Sequence, residues 1–154
     1  MAKLAFSKLG LKVNNETINI HFNDQVIEVK KYISINDKLD LISDVLNKSF
    51  DAQNNFANPV KVKVYIALNI IQYYTNINFT EKQRQDPVKL YDCLESSGLL
   101  NQIIQAIPSN EYAALVEDTE TTIKAFYAHK DSIYGILETV KEDYGNLDLN
   151  ATAL

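Results

Sequence analysis

The residues with the widest chemical repertoire in this chain are His21, His129 and Cys93, the only two histidines and the only cysteine. A zinc site draws on roughly four Cys, His or carboxylate ligands at close spacing. Neither histidine has a second Cys or His at such a spacing. His129 falls on a predicted helix beside its apolar seam and reads as a packed or surface imidazole. Cys93 stands next to Leu94 on the apolar side of another predicted helix and reads as a buried, inert thiol, because no histidine motif accompanies it to make a nucleophile. Ser96-Ser97-Gly98 lacks the flanking glycines of a nucleophile elbow. With four glycines in the whole chain, no phosphate-cradling loop of the G-x-G-x-x-G or G-x-x-x-x-G-K kind can be written. Glu117, Asp118 and Glu120 crowd together on an exposed helix face, where no burial would raise a carboxyl pKa for acid–base work. The expectation is a protein that is not an enzyme, with no catalytic residues, no cofactor and no metal.

The aromatic residues point to contact between proteins. Tyr65, Tyr73 and Tyr74 share one predicted helix, and Tyr112, Tyr127, Tyr134 and Tyr144 share another. Tyrosine covers much apolar area and keeps one polar handle, which suits a binding surface as well as a core rim. The candidate partner-binding residues are Tyr73, Tyr74, Phe126, Tyr127, Ile133, Tyr134 and Leu137. The alternative is that these side chains close the molecule's own core. Base stacking is not expected, since no basic patch accompanies the rings. The net charge of −5 also speaks against a general grip on nucleic acid. The charge is uneven: residues 1–33 carry +2 and residues 111–154 carry −6.

These residues need elements to hold them. The longest is residues 111–144. The positions Tyr112, Val116, Thr119, Ile123, Phe126, Lys130, Ile133, Leu137, Val140 and Tyr144 form a stripe at alternating steps of four and three, apolar except at Thr119 and Lys130. Such a seam predicts one helix of about 50 Å, with the stripe mostly covered and Lys130 its least buried member. Ser109 or Asn110 would cap it and Gly145 would end it. Upstream, Ile18, Ile20 and Phe22 alternate with polar residues, and β-branched residues resume after Asn23-Asp24, which predicts a hairpin over 17–31. A lone hairpin is marginal in water, so it must lie on the helices or pair with another chain. The residues before it read as an arm.

Asn36 is the expected cap of a helix with Leu39, Ile42, Leu46 and Phe50 on its apolar face and Val45 beside it. Residues 51–59 read as a loop, with Pro59 opening the next helix. Residues 60–75 are ambiguous, since Val60, Val62 and Val64 alternate with Lys61 and Lys63 as a strand would, but the length of the run favours a buried helix, and its wide apolar coverage makes it the expected central core element. Thr80 to Gln83 form a capping box. Asp86-Pro87 opens a further helix that Gly98 terminates, and Leu99 to Ile107 make a short helix stopped by Pro108. The predicted fold is mainly α, a helical bundle around one long C-terminal helix with a small N-terminal β-hairpin. It is expected to form a single domain over 1–154, with an arm and hairpin over 1–33, a bundle over 34–145 and a frayed tail over 146–154. At 154 residues with 46% hydrophobic residues, one such core is within reach. No apolar run approaches the length of a membrane span, and the N-terminus does not read as a signal peptide.

Several segments together resemble a group of small proteins of tailed bacteriophages of Gram-positive bacteria. They are Phe6-Ser7-Lys8-Leu9-Gly10-Leu11-Lys12, Ile27-Glu28-Val29-Lys30, Ile35-Asn36-Asp37-Lys38-Leu39, the run from Tyr74 to Gln83, Ile107-Pro108 with Glu111-Tyr112, and Tyr134-Gly135-Ile136-Leu137. In size, acidity and helical character the chain is similar to phage tail assembly chaperones. The resemblance implies binding of the tape-measure protein in the host cytoplasm during tail assembly. It carries over no site residues. A structural virion component (neck, connector or inner capsid protein) is the alternative, and a host-interaction or anti-defence protein a third. A homo-oligomer is expected, in which the long seam and hairpin edge find partners.

Overall fold

A computed structural model describes residues 1–144, with side chains described through Ser132 and again at Leu137. Gly145 and the expected tail over 146–154 lie outside the described residues. The chain clusters into two compact units, Met1–Glu117 and Asp118 onward. The fold is mainly α, with six α-helices among the described residues, the last of them long, and a small N-terminal hairpin.

The first unit begins with the arm, in which every residue from 1 to 16 is exposed. Its one local feature is a 3₁₀ turn at Phe6–Leu9, closed by Lys8 N–H donating to Ala5 O at 3.0 Å and ended by Gly10 at φ 61°. Strands β1 (Thr17–Phe22) and β2 (Gln25–Lys30) then pair antiparallel. Asn23 and Asp24 both take positive φ, 45° and 61°, the conformation that a two-residue hairpin turn needs to match strand twist. Pairing sets Ile18 opposite Val29 and Ile20 opposite Ile27 on the inner face, where Ile27 and Val29 are buried. His21 lies on the outer, exposed face. Of the two ways to stabilise the hairpin, the chain uses its own helices. Val29 bridges to Thr75, and Glu28 N–H donates to Asn76 Oδ1 at 3.1 Å.

Helix α1 (Ile35–Ser49) starts two residues earlier than the Asn36 cap would allow. Ser34 is the cap, its Oγ accepting from Asp37 N–H at 3.1 Å. The buried face is also rotated from the expected one. Lys38, Leu41, Ile42, Val45 and Ser49 face inward, while Leu39 is 57% exposed. The face is centred on Lys38, whose charge disguises it as a surface position. Past Ser49 the expected loop contains a two-residue ladder, β3 (Phe50–Asp51) with β4 (Phe56–Ala57). The Asp51 carboxylate accepts from the N–H groups of Gln53 and Asn54 and from the Asn54 side chain, and these bonds lower its pKa.

Helix α2 (Pro59–Tyr74) is the centre of the core, as its all-round apolar sequence implies. Val64, Ala67, Leu68, Ile70, Ile71 and Tyr74 are all buried. Pro59 takes the first helical position, and Asn58 Oδ1 accepts from Val60 and Lys61. The one buried amide on this helix, Asn69, is satisfied by Asp44 Oδ2 and Tyr65 O, both at 2.8 Å. The capping box at Thr80 opens the single turn α3 (Glu81–Arg84), with Thr80 and Gln83 exchanging their bonds. Helix α4 (Pro87–Ser96) follows, capped by Asp86. Gly98, at φ 78°, separates it from α5 (Leu99–Ala106). Cys93 is exposed, not buried. It adjoins Leu94 in sequence, but neighbours on a helix point about 100° apart, and α4 turns Leu94 inward with Leu90 and Tyr91 beside it.

Helix α6 (Ser109–Tyr144) begins before either expected cap, the Pro108 carbonyl accepting Tyr112 N–H at 3.0 Å. It continues through Asp131-Ser132 and Gly135 without a chain reversal. The covered stripe differs from the expected seam. Among the described side chains of α6 the buried positions are Glu111, Leu115 and Thr119, at steps of four, whereas Tyr112, Val116, Ile123, Phe126 and Lys130 are half-buried. Leu137, at 50%, is more exposed than Lys130. A 3.5-residue seam is cut for a neighbour of matching length, and the longest other helix among the described residues has 16 residues. In the second unit, Thr122 Oγ1 donates back to Asp118 O at 2.7 Å. The Phe126 and Tyr127 rings meet edge to face at 6.0 Å.

Candidate functional site

Two features of the first unit involve polar or surface chemistry, and the first explains the second. The start of α6 is held by a buried carboxylate. Glu111 Oε1 accepts from Tyr74 OH at 2.8 Å and from Ile33 N–H at 3.4 Å. Lys38 Nζ lies 3.0 Å from each carboxylate oxygen. Both charged side chains are about nine-tenths buried. Lys38 Nζ also sits 4.5 Å from the centre of the Tyr32 ring, whose face attracts a cation. Glu111 stands in the first turn of α6, where the helix dipole favours negative charge. The lock therefore ties the link before α1, the first turn of α1, the end of α2 and the start of α6. Its groups satisfy one another, so it reads as a structural device.

Burial raises the Tyr74 phenol far above its usual range, with the hydrogen bond to Glu111 and the Glu111 charge adding to the effect. The sign of the consequence is definite. Above pH 10 the unfolded chain releases this proton while the folded chain keeps it, so the folded state binds more protons and stability falls as pH rises. The slope from Tyr74 alone should approach about 1.4 kcal/mol per pH unit. Urea unfolding of Tyr74→Phe between pH 9 and pH 11 should show a markedly flatter decline than the wild type. Equal slopes would mean that Tyr74 ionises in the folded protein as it does in water.

With α6 so anchored, its next turns form one wall of an open groove of about 470 Å³. Val62, Ile66 and Ile70 of α2 form one side. Leu100 and Ile104 of α5 and Tyr112 and Val116 of α6 form the others, with Tyr91 of α4 closing an end. Lys63, Glu95 and Asn101 supply the polar lining. Lys63 Nζ stands 5.9 Å from the Tyr91 ring centre, and the Tyr91 hydroxyl is buried without a hydrogen-bond partner. The groove exists because two helices are apolar over more of their circumference than their neighbours cover. In α5, Leu100 and Ile103 are buried while Ile104 is left half-buried. An apolar trough with a few polar groups on its lining can bind an apolar segment.

None of the five expected partner-binding residues whose side chains are described, Tyr73, Tyr74, Phe126, Tyr127 and Leu137, lines this groove. Tyr74 is fully buried and belongs to the Glu111 lock, which removes it from any surface. Tyr73 is half-buried in a polar hollow with Asp40, Asp44 and Arg84, where burial and the nearby aspartates raise its pKa. Phe126 and Tyr127 are half-buried in the second unit, and Leu137 is exposed there. The side chains of Ile133 and Tyr134 lie outside the described residues. Among the described residues no three His, Cys, Asp or Glu side chains cluster to hold a metal ion. Nor, among the described residues, is any helix long and apolar enough to cross a membrane. Compared with known protein families, curated proteins and solved structures, the chain matches none.

Proposed function

We propose that this is a non-enzymatic protein that binds an apolar helical segment of a protein partner. The observation that carries the reading is the open groove between α2, α5 and the start of α6. Its half-buried side chains, Val62, Ile66, Ile104 and Tyr112, have the chemistry that receives the apolar face of an amphipathic helix. Taken with the resemblance to small phage proteins, the best reading is a tail assembly chaperone. It would work in the host cytoplasm and shield apolar stretches of the tape-measure protein while the tail is built.

The test is co-expression with tape-measure fragments. The wild type should hold the fragments in the soluble fraction. Ile104→Glu should lose that ability while keeping its melting temperature within a few degrees, because Ile104 is only half-buried. A wild type without effect, or a variant as effective as the wild type, would refute the reading. One observation favours a second reading, a fixed virion component: the exposed apolar arm suits permanent contacts between subunits. Mass spectrometry of purified particles separates the two, since a chaperone should be absent and a virion component present at constant stoichiometry.

A further inference from the structure

We propose that the N-terminal arm of one copy docks in the groove of a second copy, so that the groove is filled by this chain itself before any other partner reaches it. The inference rests on the groove being a receptor for apolar segments and is independent of what the protein helps to assemble.

The arm is apolar surface with nothing over it. Of fourteen large hydrophobic residues that are exposed among the described residues, six lie within the first thirteen positions. Phe6 is 73% exposed and Leu11 64%. A free, disordered tail would carry few such residues. The arm also has shape: in the 3₁₀ turn, residues three apart stand one above the other, so Phe6 and Leu9 form a paired knob held by the Lys8 to Ala5 bond and the Gly10 stop. The groove, at about 470 Å³ and lined by bulky apolar side chains, has room for two such groups.

The choice of a second copy follows from where the arm leaves its own domain and from charge. Its root is pinned by Glu16, whose carbonyl accepts Lys31 N–H at 3.0 Å and whose carboxylate pairs with Lys31 Nζ at 2.9 Å. Val13 and Asn14 emerge beside Ile33 and Ser34, at the first turn of α1. No residue of the arm lines its own groove, and all its residues remain exposed. Residues 1–15 carry Lys3, Lys8 and Lys12 and no acid, so the chain's net −5 divides into +3 on the arm and −8 on the rest. Arms are thus drawn toward the bodies of other copies.

The experiment uses the full chain with Cys93 replaced by Ser, so that only introduced thiols react. In Phe6→Cys/Ile104→Cys, mild oxidation should give covalent dimers and higher species. Mixing the two single-cysteine chains should give the cross-linked pair, whereas pairing Ile104→Cys with Asn19→Cys, on the exposed face of the hairpin, should not. By sedimentation, the wild type should associate at micromolar concentration, and Phe6→Ala/Leu9→Ala should weaken that association at least tenfold. The last variant removes no buried side chain, so loss of folding cannot imitate the result. An internally bridged monomer, a monomeric wild type, or unchanged association in Phe6→Ala/Leu9→Ala would each overturn the proposal. None of these results depends on a tape-measure fragment, so the chaperone reading stands or falls separately.

Discussion

Replacing Glu111 with Ala should destabilise the first unit by about 3–5 kcal/mol, the usual cost of removing one partner of a buried ion pair. Three groups lose their acceptor at once: Lys38 Nζ, the Tyr74 hydroxyl and the Ile33 N–H. The ammonium is the costliest, because it stays about nine-tenths enclosed with only the Tyr32 ring beside it. Glu111→Gln keeps an acceptor and should lose less. The double variant Lys38→Met/Glu111→Leu should recover most of the loss, since a buried pair exchanged for apolar side chains of similar size is often neutral or better. Urea unfolding of the four proteins measures these differences directly. A loss below about 1 kcal/mol in Glu111→Ala is what a solvent-exposed pair would give, and would remove the lock from the account of α6.

Ile71→Ala should cost about 2–5 kcal/mol, close behind. Ile71 is fully buried on α2, in the core cluster shared with Leu41 and Val45 of α1 and Ile103 of α5. Helices on more than one side must stay in place, so the lost volume remains largely as a cavity. Val60→Ala on the same helix makes the control. Val60 is 70% exposed, and a surface substitution of this kind stays within about 0.5 kcal/mol. Thermal melts should place the two variants on the order of 10 °C apart. A small effect at Ile71 would mean that the core around α2 can collapse, and that α2 is not its centre.

What could be read from the sequence divides along a physical line. Local signals were legible because they act within a few residues. Pro59 after Asn58, the exchange between Thr80 and Gln83, Asp86 before Pro87 and the left-handed Gly98 all mark helix ends through backbone groups close at hand. The centrality of α2 was legible too, since a helix apolar on every side has few places to go. Long-range polar pairing was not. Lys38 and Glu111 each look like surface residues until the fold sets them 3.0 Å apart, and that one pairing rotated the expected buried face of α1 and moved the covered stripe of α6. Cys93 and Leu94 show the same limit on a smaller scale, since adjacency in sequence says little about sharing a helix face. The groove was the least legible feature. It is apolar surface left over after three helices have packed, and no single segment's periodicity records what its neighbours leave uncovered. The aromatic residues drew attention instead, and Tyr74 proved to be part of the lock.

The Glu111 lock also has a consequence for the order in which the chain assembles. Its bonds join residues 78, 73 and 37 positions apart, whereas the α1–α2 pair is closed by a ladder spanning only Phe50 to Ala57. Closing a long loop costs more entropy than closing a short one, so the helix pair is placed to form early and the start of α6 to dock late. The Glu111→Ala variant should then refold at nearly the wild-type rate and unfold much faster, as expected for contacts absent from the transition state. In that case the carboxylate governs how long the native molecule persists, and with it the lifetime of the groove wall that α6 supplies.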